Sequence, residues 1–409
     1  MSRSELSIIH YQLSIKIYVL VSLLIIRLSA LGDVAMLVPV VKALASQHSD
    51  IKITVLSVRF LQPLFEGIAD NVHFIAFDKK GEHKGFAGLN RLFRQLQAEH
   101  FTHIADCHDV LRTKYLRLRF RLQLSALFGK MPRIASIDKH REGKRALTRD
   151  ENKQLVQQPT SFENYAETID KVLGTEINAE CRMQNDFPTN NNAQPNSAFS
   201  IQHSALKIGI APFAAHPGKI YPLEKMQEVV RQLLARGCRI YLFGAGDKEM
   251  AVFRKWQSEF KRIQNSEFRI QNDSPTNNNA QPNYQLSIVN CQLNIAADVL
   301  KAEGRKGIGE EVKLMGELDV MLTMDSGNQH LAALSGTRVV SVWGATHPLA
   351  GFRAWRQSEE DCVQLDMPCR PCSIYGNKPC KHGDYPCLKN ISPEEIVNKI
   401  NLPPRGGQV

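Results

Sequence analysis

The chain has 409 residues, 43% hydrophobic and 22% charged, with a formal net charge of +10 and a pI near 9.1. This composition excludes a disordered or fibrous chain, and the length exceeds a usual domain of about 150 residues, so two or three globular units are expected. The excess of Lys and Arg fits an anionic partner such as a nucleotide, a phosphorylated glycolipid or a membrane surface, and equally a merely solubilising surface.

Near the start, the apolar run Ile17–Ile26 stands between Lys16 and Arg27. It is shorter than the roughly 20 residues of a membrane span. It also leads into a Gly-Asp turn, not a small-residue cleavage site, so a cytoplasmic protein with the membrane as neighbour is expected. Leu23–Arg27 reads as a first strand, and the apolar spacing of Val38, Val41 and Leu44 marks a helix after it. Between them, Gly32 permits a tight turn and Asp33 falls near the helix N-terminus, at the carboxyl end of a strand, where open α/β sheets place ligands. A carboxylate there can accept a proton from a sugar hydroxyl, or simply cap the helix. Ile51–Leu56 and His103–Asp106 read as further strands. Next come Arg112, Lys114, Arg117, Arg119 and Arg121, interleaved with Leu116, Leu118 and Leu122. That pattern suggests a snorkelling basic helix or extended segment, solvated or in contact with an acidic acceptor or membrane; Arg112 is the candidate acceptor-phosphate contact.

A repeat then interrupts the chain. Asn185–Asn196 recurs almost letter for letter as Asn272–Asn283, and each copy is followed by a related apolar string that also opens the chain at Leu6–Ile15. Segments rich in Asn, Gln and Pro bury little apolar surface, so 1–20, 182–204 and 264–295 are read as translated repeats fused to or inserted in an older gene, the last two as surface loops. With these set aside, short apolar runs alternate with amphipathic stretches, the pattern of parallel α/β domains. The expected units are 21–181, 205–350 and a Cys-containing tail over 351–409.

In the second unit the strands are Lys207–Ala211, Arg239–Phe243, Val320–Thr323 and Arg338–Trp343. Lys219 follows the Pro217-Gly218 turn, placed to neutralise charge growing on a departing diphosphate, or simply solvated. Gly244, in Phe243–Asp247, lets a backbone approach a nucleotide or serves only a turn, since the third glycine of a dinucleotide fingerprint is missing. Asp325 ends a strand, and Ser326 and Gly327 start a helix whose N–H groups and dipole favour phosphate; Asp325 and His330 are candidate partners for ribose or sugar hydroxyls. An N-cap with a buried histidine is the plainer alternative. Cys369, Cys372, Cys380 and Cys387 are weak metal candidates, because a second Cys-x-x-Cys is lacking; reduced thiols packing a tail is the other reading. The chain contains no Asp-x-Asp, so no magnesium clamp, metal or cofactor is implied. Nucleic-acid binding has only the net charge in its favour, with no recognition motif.

Three segments, Ile26–Asp33, Gly218–Pro222 and Asp325–Ala332, in this order and at these separations, resemble glycosyltransferase family 9, which includes the lipopolysaccharide heptosyltransferases. The resemblance spans about residues 22–180 and 205–400. It implies a GT-B architecture: α/β, with two Rossmann-like domains facing a central cleft, acceptor on the first and nucleotide sugar on the second. It also implies that Asp33 is the base of an inverting, metal-independent transfer, that Lys219 contacts phosphate, and that Asp325, Ser326, Gly327 and His330 form the donor loop. The implied partners are ADP-heptose and a lipopolysaccharide core or other lipid-linked sugar at the inner membrane. Gln329 departs from the family, standing where many relatives carry a hydrophobic residue. Another nucleotide-sugar donor, or a non-catalytic nucleotide-binding protein disabled by the repeats, are the rival expectations.

Overall fold

The computed structural model describes residues 21–127, 131–175, 177, 205–272 and 292–401. The expected N-terminal extension and the first repeat insert therefore lie outside the described residues.

In the first half the elements are β1 (Ser22–Ile26), α1 (Leu31–Gln47), β2 (Lys52–Val58), β3 (Val72–Phe77), α2 (Gly85–Ala98), β4 (His103–Asp106), α3 (Leu111–Leu127), β5 (Arg133–Ser136), α4 (Arg141–Leu147) and α5 (Ser161–Leu173). Its strands form one parallel sheet in the order β3-β2-β1-β4-β5. β1 lies in the middle, which explains its unbroken apolar sequence: Leu23 and Ile25 face one core layer, Leu24 and Ile26 the other.

The second half runs β6 (Lys207–Ala211), α6 (Leu223–Ala235), β7 (Arg239–Leu242), α7 (Asp247–Asn272), β8 (Leu293–Ile295), α8 (Ala296–Ala302), α9 (Ile308–Gly316), β9 (Val320–Met324), α10 (Gly327–Leu334), β10 (Arg338–Val342), β11 (Cys362–Val363), α11 (Pro386–Lys389) and α12 (Pro393–Asn401). Its sheet is also parallel, in the order β11-β10-β9-β6-β7-β8. Both sheets reverse their winding at an internal strand pair, β1 and β4 in the first, β6 and β9 in the second. Crevices open beyond the carboxyl ends of such pairs.

Two expectations change here. The segment 264–295 is not all loop: α7 continues through Asn272, and Leu293 and Ile295 are buried in β8, opposite Ile240 and Leu242. Alternation of apolar and polar residues suits Leu293–Ile295 to a sheet edge, so part of the repeat-like string is structural. Nor do the described residues of the expected tail, 351–401, stand apart from the second half. Val363, Leu388, Ile391, Ile396, Val397 and Ile400 belong to the core under α6, and the buried Tyr221 hydroxyl donates to the Ile391 carbonyl at 2.9 Å.

The halves share apolar core: Val34 and Val38 of α1 cluster with Leu331 and Ala332 of α10. A Cβ on Gly32 would stand 2.9 Å from His330 Cδ2 and 3.3 Å from Gly327 Cα, so only glycine lets these two helix starts approach so closely.

Candidate active site

Asp33 lies in the first turn of α1, where its Oδ2 takes the Ala30 N–H at 3.2 Å and the Arg27 guanidinium at 2.6 Å. The capping reading is thus real, but both contacts fall on one oxygen, and the side chain keeps 30% of its exposure. Arg27 is itself fixed. It donates to the Cys107 carbonyl at 2.7 Å and sits 5.6 Å from the Tyr165 ring, while the Tyr165 hydroxyl donates to the backbone carbonyl of Asp33 at 3.2 Å. Although Arg27 stands inside a motif the sequence singles out, its role becomes visible only in the fold; Tyr165, 132 residues beyond Asp33, carries no local signal.

On the neighbouring strand end, His108 Nδ1 accepts from the Leu28 N–H at 3.3 Å. Burial, helped by the charge of Arg27, pushes its imidazole down to about 4. Burial also lowers Lys139 and Lys144 below the ordinary ammonium range, with Asp109 and Asp33 respectively working in the opposite direction. Lys144 stands 4.7 Å over the ring of Phe352, on the other half of the molecule. Arg112 is exposed at the start of α3, where its charge reaches His108 together with those of Arg27 and Lys139.

Across the junction, Lys219 and Asp325 meet as an ion pair at 2.8 Å, the lysine 14% and the aspartate 4% exposed at their side chains. Gln329 completes the arrangement, donating to Asp325 Oδ1 at 3.2 Å and to the Phe352 carbonyl at 3.1 Å. Its polarity therefore serves a buried carboxylate. Ser326 begins α10 at its N-cap, its hydroxyl 3.2 Å from that of Thr323. Gly327 is pressed from the first half: a Cβ there would stand 3.0 Å from Leu31 Cδ2. Gly244 is packed likewise, since a Cβ would meet the Glu249 carboxylate at 2.7 Å and the Phe253 ring at 2.8 Å. Packing alone is sufficient reason for glycine at both positions.

His330 is 6% exposed, and burial pushes its imidazole down to about 4, so the folded protein holds the neutral ring. The unfolded chain takes up a proton first, so this contribution to stability is present above the unfolded value of 6.5 and is lost as pH falls towards 4. Denaturant titrations should show about 2 kcal/mol lost between pH 7 and about pH 5 from this group, and less loss in His330→Gln. An unchanged pH slope in that variant would defeat the assignment.

Cys369, Cys372, Cys380 and Cys387 line one small recess with Asp150, Lys381, His382 and Tyr385. Among the described residues no group of three or more His, Cys, Asp or Glu is arranged to hold a metal ion, and the four cysteines are free thiols. Burial raises the thiols of Cys372 and Cys387, the latter to about 11.

A family model described as glycosyltransferase family 9 (heptosyltransferase) matches residues 89–265 and 289–382. The stretch between the two matches falls within the second repeat-bearing segment. Two curated relatives are the lipooligosaccharide heptosyltransferases 2 of two Campylobacter jejuni strains. One is 30% identical over 81 residues, 20% of this chain and 24% of its own; the other is 28% identical over 82 residues, 20% and 25%. The matched segment thus spans about a quarter of the length of these relatives. Among solved structures, E. coli ADP-heptose LPS heptosyltransferase II aligns at a TM-score of 0.56 with 15% identity, covering 93% of this chain and 97% of that one. A family 9 glycosyltransferase of Veillonella parvula gives 0.57 with 16% identity, covering 92% and 95%. E. coli heptosyltransferase WaaC, solved with ADP-2-deoxy-2-fluoro heptose, gives 0.54 with 14% identity, covering 87% and 97%. At such identities the likeness is one of fold, the two-domain GT-B arrangement.

Proposed function

The chain belongs to glycosyltransferase family 9, the heptosyltransferases, and from that premise we propose that its cleft transfers heptose from ADP-heptose to a lipopolysaccharide core, with inversion. One observation carries the reading: the helix start bearing Asp33 abuts the helix start of the donor loop, with Gly32 against Gly327 and His330. In this reading the base and the leaving-group site share one junction, supplied by two different domains.

In this mechanism the acceptor hydroxyl gives its proton to the Asp33 carboxylate as its oxygen bonds to the anomeric carbon. The bond from that carbon to the diphosphate breaks, and ADP departs with the bonding electrons. Charge grows on the diphosphate beside Lys219 and the N-terminus of α10, whose N–H groups and dipole favour it. Asp325, itself held by Gln329, positions the lysine for that encounter. Arg112, with Lys139 and Lys144, meets phosphates of the acceptor. The sugar nucleotide in the WaaC structure supports the choice of donor.

The test is release of ADP from ADP-heptose in EDTA, with heptose-deficient lipopolysaccharide core as acceptor. Acceptor-dependent release, and a product of inverted anomeric configuration by NMR, are expected. Donor binding without release would defeat the transferase reading, and retention would defeat direct displacement.

A further inference from the structure

We propose that the exposed face of α3, with Phe86 beside it, docks the protein on an anionic lipid surface. The fold divides the basic run of this helix into two groups. Arg117 turns inward, its Nε 3.0 Å from Asp106 Oδ2 and its Nη2 2.7 Å from Asp109 Oδ1. Arg119 lies 4.7 Å over the Phe93 ring and donates to Asn90. Thr113, Leu116 and Phe120 are buried on the same inner side.

What remains outside has a definite order. Leu111, Leu118 and Leu122 are 82%, 52% and 61% exposed. At 3.6 residues per turn these leucines fall within about 40° of one another on the helix circumference, with Lys114 and Arg121 on one flank and Arg112 on the other. Lys114, Arg121 and Arg112 are all exposed, although Lys114 also lies 3.8 Å from Asp109. Phe86, 73% exposed, widens the apolar strip by meeting Tyr115 edge-on at 5.8 Å. An apolar strip with cationic margins is the pattern of a helix lying in the headgroup region, leucines towards the acyl chains and Lys or Arg among anionic headgroups. A second copy of the chain fits this face poorly, because it would bring like charge against like in a molecule of net charge +10. Among the described residues no helix is long and apolar enough to cross a membrane, so the contact is peripheral.

α3 begins just beyond the carboxyl end of β4, beside His108, so the docking helix starts at the strand ends that bear the site. The inference does not depend on which sugar is transferred. Its test is sedimentation of the full chain with vesicles of phosphatidylglycerol and phosphatidylcholine, compared with phosphatidylcholine alone. Binding only to the anionic vesicles, reduced by salt, is expected. Phe86→Ser/Leu111→Ser/Leu118→Ser and, separately, Lys114→Gln/Arg121→Gln should each weaken partitioning about tenfold or more with unchanged thermal melting. If the apolar set does not fold, the charge set carries the test. Equal binding by folded variants and parent, or no vesicle binding by the parent, would overturn the proposal. So would a dimer abolished by the serine substitutions in a protein indifferent to lipid.

Discussion

Asp33→Asn is expected to lower the rate of sugar transfer about 10²–10⁴-fold, the usual contribution of a positioned base, while donor affinity stays within a few-fold. The amide keeps the shape of the carboxylate and can still accept from the Ala30 N–H, so the start of α1 should survive. What disappears is the capacity to take a proton and the ion pair with Arg27. Arg27 retains its bond to the Cys107 carbonyl and its place beside Tyr165, which limits the structural damage. The separating measurement is kcat against KM for the acceptor, with thermal melting as the folding control. A variant that folds and keeps kcat within about tenfold of the parent would make Asp33 a helix cap and nothing more, because a base contributes at least about 10².

The fold was largely legible because its central strands announce themselves. β1, β4, β6, β9 and β10 are buried on both faces and read as apolar runs of the right length, and each lies where those runs stand. The elements missing from that reading are mostly edge strands. β3 mixes exposed His73 with partly exposed apolar residues, β5 has four residues beginning with exposed Arg133, and β11 has two. Their existence depends on a neighbour offering hydrogen bonds, which periodicity within the segment does not report. Repeat identity misled for a related reason. Leu293–Ile295 carries the string of a repeat, yet it is held as β8 by pairing with β7.

The site was legible as motifs and not as partnerships. Asp33, Lys219 and Asp325 stand in readable turns, whereas Tyr165, Lys139 and Gln329 gain their meaning from chain that the fold brings together within one domain, and Lys144 from Phe352 of the other. The glycines show the difference most clearly. Gly327 looks like a residue that admits phosphate, but its missing side chain makes room for Leu31 of the other domain. A local motif gives the size of a residue; only tertiary structure identifies what uses the space.

Lys219→Met should reduce transfer about 10²–10³-fold, the loss typical of removing one preorganised group that meets developing charge. The same change strands a buried carboxylate, because Asp325 loses its cation at 2.8 Å and, among the described residues, keeps the Gln329 side-chain donor. Breaking a buried pair from one side costs about 3–5 kcal/mol, so loss of activity alone would not distinguish catalysis from unfolding. The double variant Lys219→Met/Asp325→Asn separates them, since the neutral amide removes the uncompensated charge while occupying nearly the same volume. Its melting temperature should return most of the way to that of the parent, and its transfer rate should not. Recovery of both would make Lys219 a partner for Asp325 alone and leave the charge on the departing diphosphate to the N-terminus of α10. Recovery of stability without rate, where Asp325→Asn alone keeps its rate, would show that the ion pair holds in reserve a cation that the reaction requires.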